Sequence, residues 1–113
     1  VRISVTMIVK NEEAMLRRCL ESVKDADEIV IVDTGSTDKT AEVAREFTDK
    51  YYEGVYVWND NFSEARNKAS SYATGDWFLQ IDADEFLEPD GIKKLRAFID
   101  SEEAKNHLAV DIG

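Results

Sequence analysis

A chain of 113 residues, 43% hydrophobic and 34% charged, is sized and mixed for one globular domain, and its longest apolar runs are strand-sized, too short to span a membrane. A formal net charge of −10 argues against a nucleic-acid backbone or an anionic membrane as the main partner and suits a ligand that arrives with a divalent cation. The single cysteine excludes an internal disulfide, and the single histidine excludes His-rich zinc sites and His-centred triads, so a reducing, cytoplasmic setting is expected.

In chain order, "RISVTMIV" (2–9) is β-branched and apolar and predicts a buried strand. Asn11 is placed to cap a helix with Glu12 and Glu13 in its first turn, and Leu16, Cys19, Leu20 and Val23 form one apolar stripe along it. "EIVIVD" (28–33) predicts a second buried strand. After the turn "TGSTD", a helix is expected from about Asp38 with Ala41, Ala44 and Phe47 inward. "YYEGVYVW" (51–58) predicts a weaker strand interrupted by Gly54. A helix over 63–73 follows, with Ser63 as its cap, Ala65, Ala69, Tyr72 and Ala73 on one side and Gly75 ending it. "DWFLQI" predicts a fourth strand, and a last helix starts after Pro89 with Ile92, Leu95 and Ile99 inward. "HLAVDI" reads as the start of another strand. Trp58, Trp77 and Phe78 are expected in the core and His107 on the surface.

Near-continuous apolar strands alternating with helices predict an α/β fold, a mainly parallel, Rossmann-like sheet covered on both faces. Ligands of such sheets collect at the carboxyl ends of the strands, near a switch in strand order. Three polar clusters fall at those ends: Lys10-Asn11-Glu12, Asp33 to Asp38, and Asp82 to Glu85.

In "IDADE", Asp82 and Asp84 lie two apart, so on extended backbone both carboxylates face one way. Carboxylate oxygens suit hard cations such as Mg²⁺ or Mn²⁺, which take one or two protein carboxylates and fill their other positions with water and phosphate oxygens. The simpler alternative is an acidic turn facing water. In "VDTGSTD", turn and cap chemistry accounts for Gly35, Ser36 and Thr37 but not for Asp33, a carboxylate closing a buried strand that can accept from a nucleobase or a ribose. In "NFSEARNKA", Arg66 has the fork geometry for phosphate or a base edge, or equally for a surface ion pair.

Together "MIVKNEE", "DEIVIVDTGSTDKT", "W-x-D-x-F-S-x-A-R-N" and "GDWFLQIDADE", in this order and spacing, resemble the amino-terminal half of a family 2 glycosyltransferase of the GT-A fold. The resemblance implies a nucleotide-sugar donor, usually a UDP-sugar, a divalent Mn²⁺ or Mg²⁺, and inverting transfer to an acceptor. It places Lys10, Asn11 and Glu12 against the base, Asp33 near uracil, Arg66 at the base or diphosphate, Asp82 near the ribose and Asp84 on the metal. Where many members carry two consecutive acids after the second strand, Asp33 is followed here by Thr34.

The family domain is longer than this chain, so residues 1–113 are expected to be a truncated nucleotide-sugar-binding half, with the acceptor pocket and catalytic base beyond residue 113. A sheet edge left unpaired by truncation would favour homo-oligomers. The rival expectations are a non-catalytic nucleotide-binding or assembly module, and a metal-dependent phosphotransferase using Asp82 as nucleophile.

Overall fold

The computed structural model describes residues 2–55, 62–100 and 109–111. Among these residues five strands and four helices alternate: β1 (Ile3–Val9), α1 (Glu13–Val23), β2 (Glu28–Asp33), α2 (Thr40–Arg45), β3 (Tyr51–Glu53), α3 (Phe62–Ser70), β4 (Trp77–Gln80), α4 (Gly91–Asp100) and β5 (Ala109–Asp111). They form one sheet in the order β3-β2-β1-β4-β5, parallel at every pairing. The chain lays β2 and β3 on one side of β1, then returns to lay β4 on the other. The switch in strand order therefore lies between β1 and β4.

The two faces of β1 are chemically different. Val5, Met7 and Val9 point into the main core with Leu16, Cys19, Leu20 and Val23 of α1, Val43 and Ala44 of α2, and Ile92 of α4. On this face Ile3 packs with Trp77 and Ile99. The other face carries Ser4 and Thr6, both buried, and Ile8, under α3. Ala65 and Ala69 are buried on α3, and their small side chains let the helix approach the strands closely. On the same side Tyr52 stacks on Tyr72 with ring centroids 4.0 Å apart.

The amino ends of the strands are tied by one buried carboxylate. Glu28 accepts from Ser4 Oγ at 2.7 Å, from the Thr74 backbone N–H at 2.7 Å and from Thr74 Oγ1 at 3.0 Å, and it is ion-paired to Lys50. Burial pushes this carboxyl up, but Lys50, Ser4 and Thr74 outweigh it and hold it at about 2. Gly75 closes the knot: its N–H donates to Ser4 Oγ at 2.9 Å, and a Cβ there would lie 2.3 Å from that same oxygen.

Several expectations are corrected. Asn11 does not cap α1: it sits at φ 52°, in the left-handed region, and the helix begins two residues later. In α2, which starts at Thr40, Ala44 and the following Phe47 turn to the core as read, but Val43 joins them and Ala41 is only half-buried. α3 already includes Phe62 and Ser63 and ends at Ser70, so Tyr72 and Ala73 lie beyond it and Gly75 is a packing glycine, not a helix stop. Arg66 accordingly falls in the second turn of α3. β3 stops at Glu53, before Gly54 at φ 75°, and residues 56–58 of that predicted strand, Trp58 among them, lie outside the described residues, as does His107. The α1 stripe, the inward Ile92 and Ile99, and the buried Trp77 stand as read. Phe78 is half-buried.

Candidate functional site

The three polar clusters meet at the carboxyl ends of β1, β2 and β4. A cleft of about 280 Å³ opens there, lined by Ile8, Val9, Lys10, Glu12, Thr34, Asp82, Ala83 and Asp84. Its position is the strand-order switch, where open parallel sheets hold ligands. A larger depression of about 420 Å³ lies at the opposite end of the sheet around Glu28 and Lys50, away from all three clusters.

The acidic turn is built by the end of β4. Ile81 still donates to Thr6 O at 3.3 Å, and then the backbone turns. Asp82 N–H donates to Glu85 Oε1 at 3.0 Å, while Glu85 N–H donates to Asp82 O at 3.0 Å. This reciprocal clasp brings oxygens of Asp82, Asp84 and Glu85 within 4.8 Å of one another. The carboxylates thus converge through a turn, not through the strand alternation expected from their spacing. Asp82 and Asp84 are exposed, and Glu85 is half-buried. An all-carboxylate set open to solvent on one side fits a hard divalent ion that keeps water and phosphate among its ligands.

Beneath the turn lies Cys19, fully buried on α1, its thiol donating weakly to Asp82 O at 3.6 Å. Burial, with Glu85, Asp82 and Asp84 nearby, pushes the thiol up to about 12, so it stays protonated. The sequence reading of Cys19 as a small hydrophobe holds, with this one polar contact added. Glu12 is also raised, first by burial and then by Asp84, Asp38 and Asp82. The cleft therefore concentrates negative charge that a cation would relieve.

Asp33 closes β2 with only 2% of its surface exposed. One oxygen accepts from the N–H groups of Gly35 at 2.8 Å and Ser36 at 2.7 Å, and the other accepts from the Tyr51 hydroxyl. Burial pushes its carboxyl up, but Tyr51, Gly35 and Ser36 together hold it below the usual range. Turn chemistry thus does explain Asp33, contrary to the sequence reading. Gly35, at φ 130°, supplies the backbone that lets both amides converge on it.

Lys10 and Glu12 line the cleft, and Asn11 turns to the neighbouring loop. Arg66 stands one step away, in a small cleft shared with Gln80, Ile81 and Asp82. The structure thus brings Lys10, Glu12, Asp82 and Asp84 together around one cavity with Arg66 beside Asp82, and it buries Asp33 behind the rim. Tyr51, which holds Asp33 from β3, escaped sequence reasoning. Thr34 and Glu85 fall inside the predicted clusters but were given no role; Thr34 lines the cleft and Glu85 clasps the turn.

Comparison with known proteins agrees with this geometry. The family model described as Glycosyl transferase family 2 matches residues 4–109. A TPR repeat-containing protein of Synechococcus elongatus is 46% identical over 104 residues, covering 91% of this chain and 25% of its own length. The prophage-derived glycosyltransferase SunS of Bacillus subtilis is 39% identical over 98 residues, covering 82% of this chain and 22% of its own length. Among solved structures, S. aureus TarS 1–349 superposes with a TM-score of 0.75 at 27% identity, over 88% of this chain and 32% of that one. TarS has also been solved with UDP. Glucosyl-3-phosphoglycerate synthase of Mycobacterium tuberculosis, in complex with Mn²⁺ and UDP-glucose, gives a TM-score of 0.69 at 25% identity, over 90% of this chain and 40% of that one. The chain spans about a quarter of the length of these curated relatives.

Proposed function

The chain belongs to glycosyl transferase family 2, and from that premise we propose that residues 1–113 are the donor half of its GT-A domain, binding a nucleotide-diphosphate sugar, probe compound UDP, together with Mn²⁺ or Mg²⁺. The observation that carries this reading is the convergence of Asp82, Asp84 and Glu85 on a cleft lined by Lys10, Glu12 and Thr34 at the β1/β4 switch. UDP in one structural neighbour, and UDP-glucose with Mn²⁺ in another, support the same choice of ligand.

Each residue then has a task. Asp84 holds the ion and Asp82 stands between it and the ribose. Lys10 and Arg66 supply positive charge on either side of the carboxylates, where a diphosphate would otherwise meet only repulsion. Glu12 and Thr34 wall the side expected to face the base. A divalent ion bound there supplies Lewis-acid stabilisation of the departing diphosphate. The acceptor's attack with inversion, and the base that takes its proton, belong to the remaining part of the domain. One buried free thiol and no helix long and apolar enough to cross a membrane, among the described residues, are compatible with a cytoplasmic setting. The phosphotransferase alternative has no comparable support, since the family match covers the acidic turn itself.

Calorimetric titration tests this. UDP is expected to bind in Mn²⁺ and to lose most of its affinity in chelator, and Asp84→Ala is expected to erase that difference. Equal affinity with Mn²⁺ and with chelator would remove the metal role. No binding in either condition would favour a non-catalytic module.

A further inference from the structure

Six hydrogen bonds lace residues 11–13, after β1, to residues 36–40, after β2. Asn11 N–H donates to Ser36 Oγ at 2.8 Å, and Asn11 Oδ1 accepts from the Thr37 N–H at 2.7 Å and from the Thr37 hydroxyl at 3.4 Å. Glu12 N–H donates to Thr40 Oγ1 at 2.9 Å. Glu13 N–H donates to Asp38 Oδ2 at 3.3 Å, and Glu13 Oε1 accepts from the Lys39 N–H at 3.2 Å. Helices α1 and α2 therefore exchange caps: each borrows an acceptor from the loop that starts the other. Asp38 serves both, since it also accepts from the Thr40 N–H at 3.0 Å. Only the left-handed backbone of Asn11 turns its N–H and its side chain together toward residues 36 and 37, and asparagine tolerates that conformation better than most residues. Neither Asn11 nor Ser36 lines the cleft, whereas their neighbours Lys10, Glu12 and Thr34 do.

We propose that Asn11 and Ser36 are positioning residues: they clamp residues 11–13 to 36–40 as one brace that holds Lys10, Glu12 and Thr34 in register for the nucleotide. The proposal rests on the donor-site reading above. It moves Asn11 from the ligand-contacting role implied by family resemblance to a role exerted through its neighbours.

The test compares Asn11→Gly, Ser36→Ala and Asn11→Asp with the parent chain. Glycine can adopt the left-handed backbone and lacks the side-chain acceptor, but it adds backbone freedom, which Ser36→Ala does not; Asp restores the acceptor. Two measurements are made well below the melting temperature: amide hydrogen exchange without ligand, and UDP affinity in Mn²⁺. Asn11→Gly and Ser36→Ala are each expected to speed exchange on both loops, at Glu12 and at Thr37, and to weaken UDP about fivefold to tenfold, the scale of one lost restraining hydrogen bond. Asn11→Asp is expected to recover both.

Three results overturn the proposal. Weakening by Asn11→Gly with none from Ser36→Ala would make Asn11 a direct ligand contact. Faster exchange with unchanged affinity would make the brace purely structural. Exchange altered only at each residue's own partner would show two independent loops. A parent chain that binds no UDP, with the exchange result intact, overturns the donor reading, and the positioning role with it, while the two-loop coupling stays demonstrated.

Discussion

Glu28 and the Asp82–Asp84 pair are carboxylates at opposite ends of one sheet, and their surroundings are inverted. Glu28 is buried among donors from β1, the loop after α3 and the loop after α2, and is held at about 2. Asp82 and Asp84 are exposed and face further acids, with Glu85 beside them and Glu12 across the cleft. A buried carboxylate surrounded by donors holds structure together. A cluster of carboxylates gathered at an open rim concentrates negative charge that suits a cation. The amino ends of the strands thus bear a load of stability, and the carboxyl ends hold the proposed site.

Substitutions sharpen that division, the largest effect first. Glu28→Ala leaves the buried Ser4 hydroxyl without its acceptor and unties Thr74 and Lys50 from β2, and it is expected to cost about 3 kcal/mol in urea denaturation. A loss below about 1 kcal/mol would mean the knot is dispensable. Gly75→Ala drives a methyl group against Ser4 Oγ and Arg2 O and is expected to cost about 2 kcal/mol in the same assay. Acid titration follows. Because the carboxyl of Glu28 is lowered from 4.5 to about 2 on folding, its stabilisation is present above pH 4.5 and is lost as pH falls from there toward 2. The urea midpoint should fall across that window, and Glu28→Gln should flatten its share of the slope. Smallest of all, Asp84→Ala should leave stability within about 0.5 kcal/mol while abolishing the Mn²⁺ dependence of UDP binding. A marked destabilisation by Asp84→Ala would break the division between the two ends.

What was legible in the sequence follows the range of the interactions involved. β1, β2 and β4 were readable because buried parallel strands must be apolar over most of their length, and the α1 stripe because one helical face meets the core. The positions of the three polar clusters followed from those strands. Asn11 was misread as a helix cap because the partners that hold it, the acceptor Ser36 Oγ and the donor Thr37 N–H, lie 25 and 26 positions away. The partners of Asp33 were half legible: the amides of Gly35 and Ser36 are local, but Tyr51 reaches it only across the β2–β3 pairing. Gly75 carried a helix-stop signal, yet its partner is Ser4, 71 residues distant. Local pattern reveals which elements form; the use of a polar residue depends on what the sheet order brings beside it.

The exchanged caps between α1 and α2 bear on the thermodynamics of recognition. Loops that close only around a ligand lose conformational freedom on binding, and that loss subtracts from affinity. Here residues 11–13 and 36–40 are restrained by protein partners before any nucleotide arrives. Most of their ordering belongs to folding, so nucleotide association should carry a small conformational-entropy penalty, and a shallow, open cleft can recognise its ligand with few direct contacts.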